Sequence, residues 1–121
     1  PNGRWMDRMD CREEIERRIE YPLLCAQFGR EDVDEVVELL VDVFCGTRPT
    51  LRIGGDEIPS DHVRSRLWAL NNSHLEYVFD CLHHNTTQIR NIRAYLLTAL
   101  YNAPVTISNY YRAEVQHDFG P

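Results

Sequence analysis

The sequence contains no lysine, and all 13 of its basic residues are arginine. A phosphate-binding P-loop needs the lysine of the GxxxxGK[ST] pattern, so the lone Gly54-Gly55 pair does not predict a nucleotide-binding loop. Arginine forms bidentate pairs more readily than lysine does. The absence of lysine itself has no functional explanation.

Long apolar runs are also missing. No stretch approaches the ~20 consecutive apolar residues of a membrane-spanning helix, and no signal peptide is visible. The cysteines are widely spaced and form no CxxC pair, which argues against a zinc ribbon or a redox motif. We therefore expect no membrane partner, a cytoplasmic location and reduced cysteines in an apolar core. The cysteines are Cys11, Cys25, Cys45 and Cys81.

Catalytic signatures are missing as well. The sequence has no GxSxG, no HExxH and no paired-carboxylate pattern. The densest group of potential ligands is CLHH at 81–84, but a zinc site needs a second pair at suitable spacing, and none is present. We therefore expect a protein that is not an enzyme, with no catalytic residue, no cofactor and no metal.

What is present fits one folded domain. A chain of 121 residues with 43% hydrophobic side chains is long enough to bury an apolar core without disulfides or metals. Residues 1–6 show no periodicity and are interpreted as the remnant of a linker. We expect residues 7–121 to form a single domain of a larger protein.

The net charge of −6 is unevenly distributed. Residues 1–48 carry 12 acidic groups and 7 arginines, whereas residues 49–121 carry 7 acidic groups and 6 arginines. A duplex-DNA-binding domain normally has a clear basic excess. Within the second of these segments, residues 82–113 hold three arginines, two histidines and no acidic side chain, and only this window is expected to attract an anion.

Apolar periodicity predicts an all-α domain, a compact bundle of about six or seven helices with one small β-hairpin at about residues 50–58. Gly54-Gly55 supplies the hairpin turn. Ser60 and the Ser73–Glu76 capping box are expected to start two of the helices. The predicted helices cover residues 7–19, 21–28, 30–46, 61–70, 75–83, 85–104 and 105–119.

The helix predicted over residues 85–104 is the most apolar, and we expect it to lie at the centre of the domain. Asn85 or Thr86 would cap it and Pro104 would end it. Thr106 would then cap a last helix. Arg90 and Arg93 lie one turn apart on the remaining polar face.

An acidic ridge lies on the helix predicted over residues 30–46. Asp34, Glu38 and Asp42 follow one another at steps of four residues, so they share one face. The ordinary interpretation is a solvated helix face. The functional interpretation is a docking ridge for a basic partner.

A second candidate surface is basic and aromatic. Aromatic rings can stack on bases while arginines neutralise phosphates. This combination predicts weak binding of single-stranded or duplex DNA, although a domain of charge −6 repels nucleic acid. The residues concerned are Arg90, Arg93, Tyr110, Tyr111 and Arg112.

Several motifs carry a resemblance to a known family. The chain from Arg48 to Asp118 resembles the C-terminal domain of replication initiator protein A, found on plasmids and integrative elements of Gram-positive gut bacteria. The longest of the motifs, at residues 90–104, is too long for a chance match. The motifs are RPT at 48–50, IGGD at 53–56, VRSR at 63–66, YVFDCL at 77–82, NTT at 85–87, RNIRAYLLTALYNAP at 90–104, YY at 110–111 and HDF at 117–119.

The resemblance implies a helical domain similar to those of DnaD-type primosome proteins. Such domains end in a tyrosine, aliphatic, tryptophan pattern, which Tyr111, Val115 and Phe119 match loosely, with phenylalanine for tryptophan. The N-terminal winged-helix region of such initiators is not part of these 121 residues. The implied role is to link an origin-bound initiator to host replication proteins, such as primase or the helicase-loading apparatus.

Three hypotheses therefore stand. The leading one is a non-catalytic interaction domain in replication initiation, acting through the acidic ridge or the arginines of the predicted 85–104 helix. The others are weak DNA binding and self-association into a homo-oligomer that bridges origin-bound molecules.

Overall fold

The computed structural model is an all-α bundle with one small hairpin, as the periodicity predicts. It describes residues 7–85 and 89–119, the last ten of them for their backbone only. The described residues form six helices and two strands. In chain order they are α1 (Arg8–Ile19), α2 (Tyr21–Phe28), α3 (Arg30–Cys45), β1 (Thr50–Ile53), β2 (Asp56–Pro59), α4 (Ser60–Trp68), α5 (Asn72–His83) and α6 (Ile92–Phe119).

The core is built around α3. It packs against α1, α2, α4 and α6, and it contributes the largest set of buried side chains of any described helix. The helix predicted over residues 85–104 was expected to be central. Its residues 92–104 belong to α6, which packs against α5, α4, α3 and β1. The buried residues of α3 are Val33, Val36, Val37, Leu39, Leu40, Val41, Val43 and Phe44.

Helix α1 docks through a narrow seam, as predicted, but not through all of the expected residues. Cys11, Ile15 and Ile19 are buried at successive steps of four residues. Met9, expected in the seam, is 71% exposed, and Leu23 of α2, expected to be buried, is 59% exposed. Both lie off the helix faces that meet α3 and α5.

The predicted hairpin is confirmed. Strands β1 and β2 are antiparallel, with Leu51 opposite Ile58. Gly54 and Gly55 have positive φ angles of 57° and 91°, the backbone that a tight hairpin turn needs. Ile53 is buried and anchors the hairpin to the core.

Two predicted helix caps are wrong. Ser60 lies inside α4, and its buried hydroxyl donates a hydrogen bond of 2.6 Å to the Arg48 carbonyl oxygen, so it closes the base of the hairpin instead of capping. The capping box of α5 is formed by Asn71 and His74, not by Ser73 and Glu76. Helix α5 therefore starts earlier than predicted, at Asn72, whose side-chain amide donates to the Ile19 carbonyl oxygen at 2.9 Å.

The prediction that Pro104 ends a helix is also wrong. Helix α6 runs through Pro104, and Thr106 donates to the Asn102 carbonyl oxygen at 3.1 Å, a bond typical of a helix interior. The buried face continues across the proline, which explains why the helix does not stop: burial outweighs the lost hydrogen bond. That face consists of Leu96, Leu100, Ala103 and Ile107.

The start predicted for this helix, at residue 85, is wrong as well. Helix α6 begins at Ile92, and Asn91 caps it by accepting a hydrogen bond from the Ala94 amide at 3.0 Å. Asn85 follows the end of α5, and its amide donates to the Leu82 carbonyl oxygen. Thr86, expected as an alternative cap, lies outside the described residues.

Across the described residues, no helix has the length and apolar character that crossing a membrane requires.

Candidate functional site

The acidic ridge of α3 faces α1 and is paired with its arginines. Arg12 donates to Glu38 at 2.6 Å and to Asp34 at 2.8 Å. Arg8 donates to Asp42 at 2.9 Å and to Glu38 at 3.3 Å. The ridge is therefore one side of a ladder of ion pairs that joins α1 to α3.

The first rung of this ladder also involves α2. The Tyr21 hydroxyl donates a hydrogen bond to Asp34. This bond, followed by the contact with Arg12, lowers the pKa of the Asp34 carboxyl, and the same bond raises the pKa of the Tyr21 hydroxyl. Asp34 therefore stays ionised while holding three helices together.

The last rung brings together residues from two different predicted surfaces. Arg93 of α6 donates to Asp42 at 2.8 Å. Burial acts to raise the pKa of the Asp42 carboxyl, but the hydrogen bonds from Arg8 and Arg93 outweigh it, so the pKa is lowered. A residue expected to bind nucleic acid is thus paired with a residue expected to bind a partner protein.

Beside this rung lies a cleft of about 580 Å³. It opens between the C-terminal end of α3, the hairpin, α4 and the first turn of α6. Its volume lies within the range of ligand-binding clefts. The cleft is lined by Arg8, Leu39, Asp42, Val43, Cys45, Gly46, Thr47, Arg48, Leu51, Arg52, Ser60, Arg64, Asn91, Arg93, Ala94 and Leu97.

Five arginines line the cleft, against a single carboxylate among its described residues. They come from five parts of the chain: α1, the segment before β1, β1 itself, α4 and α6. The fold therefore gathers five arginines in a domain whose net charge is −6, and four of them pair with described carboxylates. These arginines are Arg8, Arg48, Arg52, Arg64 and Arg93.

The arginines differ in how they are held. Arg64, 24% exposed, donates to the Val43 carbonyl oxygen at 3.4 Å and to Asp61 at 2.8 Å. Arg52, 69% exposed, pairs with Glu57 across the hairpin at 3.2 Å. The side chain of Arg48 is exposed, and it forms no ion pair within the part of the chain that the structure describes. Arg48 and Arg52 are thus the arginines most available to an outside ligand.

The floor of the cleft is apolar. Among the lining residues, Leu39 and Val43 of α3 are buried and Leu51 and Leu97 are half-buried, so these four side chains form the base, whereas Ala94 is exposed. A second hollow of about 710 Å³ shares Arg52, Asn91 and Ala94 with the first and extends it along the hairpin turn. The combined groove can accept acidic groups at its rim and an aliphatic side chain at its base.

The other residues of the predicted basic and aromatic surface lie away from the cleft or outside the described side chains. Arg90 is exposed, has no ion-pair partner among the described residues and does not line the cleft. Tyr110, Tyr111 and Arg112 lie on the C-terminal part of α6, and their side chains are outside the described set. The structure thus places Arg93 at the cleft and separates it from Arg90.

Sequence reasoning missed four of the cleft arginines, Arg8, Arg48, Arg52 and Arg64. Helical periodicity reports which residues share one element, and these four lie on different elements. The signal that was available is the RPTLR segment at 48–52, in which two arginines flank the first residues of a predicted strand.

The cysteine and histidine residues do not converge on a metal site within the described chain. His84 contacts its own helix, at the Asp80 carbonyl oxygen, while His83 faces Asp32 at 3.4 Å. Cys11 is fully buried, and burial, followed by the neighbouring Cys45, raises the pKa of its thiol to about 12. That thiol is therefore protonated and unreactive.

Comparisons with known proteins identify a family but no named relative. Neither the curated proteins nor the solved structures contain a match to this chain. One family model matches residues 6–120, nearly the whole sequence. The chain therefore belongs to a family of unknown function, DUF6017.

Proposed function

We propose that this domain is a non-catalytic interaction module of a DNA replication initiator carried by a plasmid or mobile element. In this role it links the origin-bound initiator to host replication proteins, either primase or the helicase-loading apparatus. The resemblance over residues 48–118 suggests this role. The cleft supports it by supplying a surface suited to binding another macromolecule.

The observation that carries the proposal is the arginine-lined cleft. Its walls are helices and a hairpin anchored in one core, so the five guanidinium groups are presented on a rigid frame. Arginine is enriched at protein interfaces, and a surface that is already ordered loses little entropy on binding. Such a surface suits a docking module.

A partner that docks on the acidic ridge would have to compete with arginines of the same domain. Its carboxylates already bind Arg8, Arg12 and Arg93, so a basic partner would have to displace these arginines. The docking-ridge hypothesis stays a prediction with a direct test. Partner binding that is unchanged in the Asp34→Arg and Glu38→Arg variants would remove the ridge from the proposal.

The proposal is tested by measuring binding of the purified domain to purified host primase and helicase loader, for example by surface plasmon resonance. Binding to one of them is expected, with micromolar or tighter affinity. The folded state of each variant is checked by circular dichroism. Absence of binding to both proteins, at low salt and with a folded domain, would contradict the proposed function.

DNA binding is the second candidate, favoured by the exposed guanidinium of Arg90, which has no ion-pair partner among the described residues. If it is correct, affinity for a single-stranded oligonucleotide falls steeply with salt. Arg90→Gln then reduces the log–log slope by roughly 0.7 for each phosphate that the variant no longer neutralises. An affinity that does not change with salt would exclude this candidate. The −6 charge opposes it.

A further inference from the structure

We propose that the arginine-lined cleft is the docking site for an acidic protein segment that carries an aliphatic side chain among its carboxylates. This inference rests on the proposed function and assigns it a surface and a class of partner. It uses the cleft instead of the acidic ridge or Arg90.

The first argument is charge complementarity within the cleft. Five arginines line it, and Asp42 is the only carboxylate among its described lining residues. Arg52 and Arg64 also pair with Glu57 and Asp61, whereas Arg48 has no ion-pair partner among the described residues. Asp42 is already shared between Arg8 and Arg93. An arginine side chain has five N–H donors, and most of those on Arg48 and Arg52 are not used by described acidic groups. A carboxylate-rich segment would use them in bidentate pairs.

The second argument is the apolar floor. Leu51 and Leu97 are partly buried and pack against the core, and together with Leu39 and Val43 they line the base of the cleft. An aliphatic side chain placed there would remove its own surface and that of the floor from water. A segment with acidic residues on both sides of a leucine matches this arrangement of a charged rim and an apolar base.

The third argument distinguishes a protein segment from nucleic acid. None of the described residues that line the cleft itself is aromatic, and the ring of Tyr95 lines only the hollow that extends it along the hairpin turn. A strand seated in the cleft itself would therefore lack the aromatic stacking on which single-strand binding sites depend.

Arg48 and Arg52 provide the clearest test because both are exposed. Arg52 lies opposite Glu57 in the hairpin, so circular dichroism must show that the variant is folded before its binding is measured. The test variant is Arg48→Glu with Arg52→Glu. The control is Arg17→Glu with Arg30→Glu, which makes the same change in net charge at residues that are 71% and 81% exposed. Arg30 begins α3 and the cleft lies at its other end, roughly 24 Å away at 1.5 Å per residue. That distance exceeds the Debye length in physiological salt.

The probe is a fluorescein-labelled synthetic peptide of aspartate and glutamate residues around a central leucine. A labelled oligothymidylate and a peptide with serine in place of the leucine are measured beside it by fluorescence anisotropy. We expect the acidic peptide to bind the unmodified domain, the cleft variant to lose at least about tenfold in affinity and the control variant to lose less than about twofold. The serine peptide is expected to bind more weakly, by about tenfold.

Three results would overturn the inference. Equal losses in the cleft and control variants would show that net charge alone attracts the peptide. No peptide binding by the folded domain would show that the cleft does not take acidic segments. Tighter binding of the oligothymidylate, abolished in the same cleft variant, would make the cleft a nucleic-acid surface.

The test of the cleft and the test of the proposed function can fail independently of each other. If a host replication protein binds the cleft variant as tightly as the unmodified domain, the cleft inference fails and the proposed function stands. If the peptide binds in the cleft but neither host protein binds, the proposed function fails and the chemistry of the cleft stands.

Discussion

Arg12 offers the sharpest test of the role assigned to the acidic ridge. Its guanidinium donates to Glu16 at 2.7 Å, to Asp34 at 2.8 Å and to Glu38 at 2.6 Å, so it joins α1 to α3 at two points. If the ridge holds the bundle together, replacing Arg12 with alanine removes two of the four described ion pairs between these helices.

The expected decrease in stability follows from exposure. Arg12 is 28% exposed, while its partners are between 33% and 53% exposed. Ion pairs with this access to solvent contribute about 0.2–1 kcal/mol each, because water and salt screen them. Removing all three therefore predicts a decrease of about 1–3 kcal/mol in the free energy of unfolding. For a chain of this length that is a fall of about 3–15 °C in the melting temperature.

Thermal and urea unfolding monitored by circular dichroism measure this effect. Arg12→Lys keeps the charge but loses the fork that reaches several carboxylates at once, so its melting temperature should lie between those of the unmodified protein and Arg12→Ala. Arg17→Ala is the matched control, because Arg17 is 71% exposed and its ion-pair partner among the described residues is Glu14 of its own helix. The control should lose less than about 0.5 kcal/mol of stability.

The reasoning also predicts a salt effect. In 1 M NaCl the Debye length falls to about 3 Å, so the difference between the unmodified protein and Arg12→Ala should narrow. If Arg12→Ala and Arg17→Ala unfold at the same temperature, the ladder does not hold α1 to α3. The ridge would then be available for the docking role.

Three further predictions concern other parts of the fold. Pro104→Ala should raise the free energy of unfolding by about 1–3 kcal/mol, because alanine restores the amide that a helix interior needs; a lower urea midpoint for this variant would contradict the continuous α6. Phe79→Ala should lower it by about 3–5 kcal/mol, since Phe79 is fully buried and stacks on Phe28 at 5.0 Å; a decrease near that of a surface substitution would contradict its place in the core. The folded-state pKa of Asp42 is lowered. The ionised carboxylate therefore contributes fully to the free energy of unfolding above the unfolded pKa of about 3.9, and this contribution is lost as pH falls through the lower, folded-state pKa. Asp42→Asn should therefore be less stable than the unmodified protein at pH 7 and equally stable in strong acid, and a difference in urea midpoint that persists at low pH would refute the assignment.

Local patterns predicted most of the elements because each depends on a short stretch of chain. Gly54-Gly55 predicts the hairpin since few residues other than glycine adopt positive φ angles readily. The apolar spacing over α3 predicts its helix and most of its buried side chains. These signals lie within single elements and need no knowledge of neighbours.

The errors arose where a contact with another element outweighed a local preference. Pro104 favours a helix end, but Ala103 and Ile107 are buried on either side of it, and that burial keeps α6 continuous. Ser60 has the side chain of a helix cap, yet its hydroxyl bonds to the Arg48 carbonyl oxygen across the hairpin. In both places tertiary packing decided the outcome.

By itself, the sequence determined the all-α class and the hairpin. Because it contains no lysine, it also excluded lysine from every charged site. Only the tertiary structure decided what the charges do. Asp34, Glu38 and Asp42 share a face because of helical spacing, but α1 must be folded beside them before they meet Arg8 and Arg12. The arginine cleft is assembled from five separate parts of the chain, because side chains far apart in sequence become neighbours only when the apolar core draws their elements together.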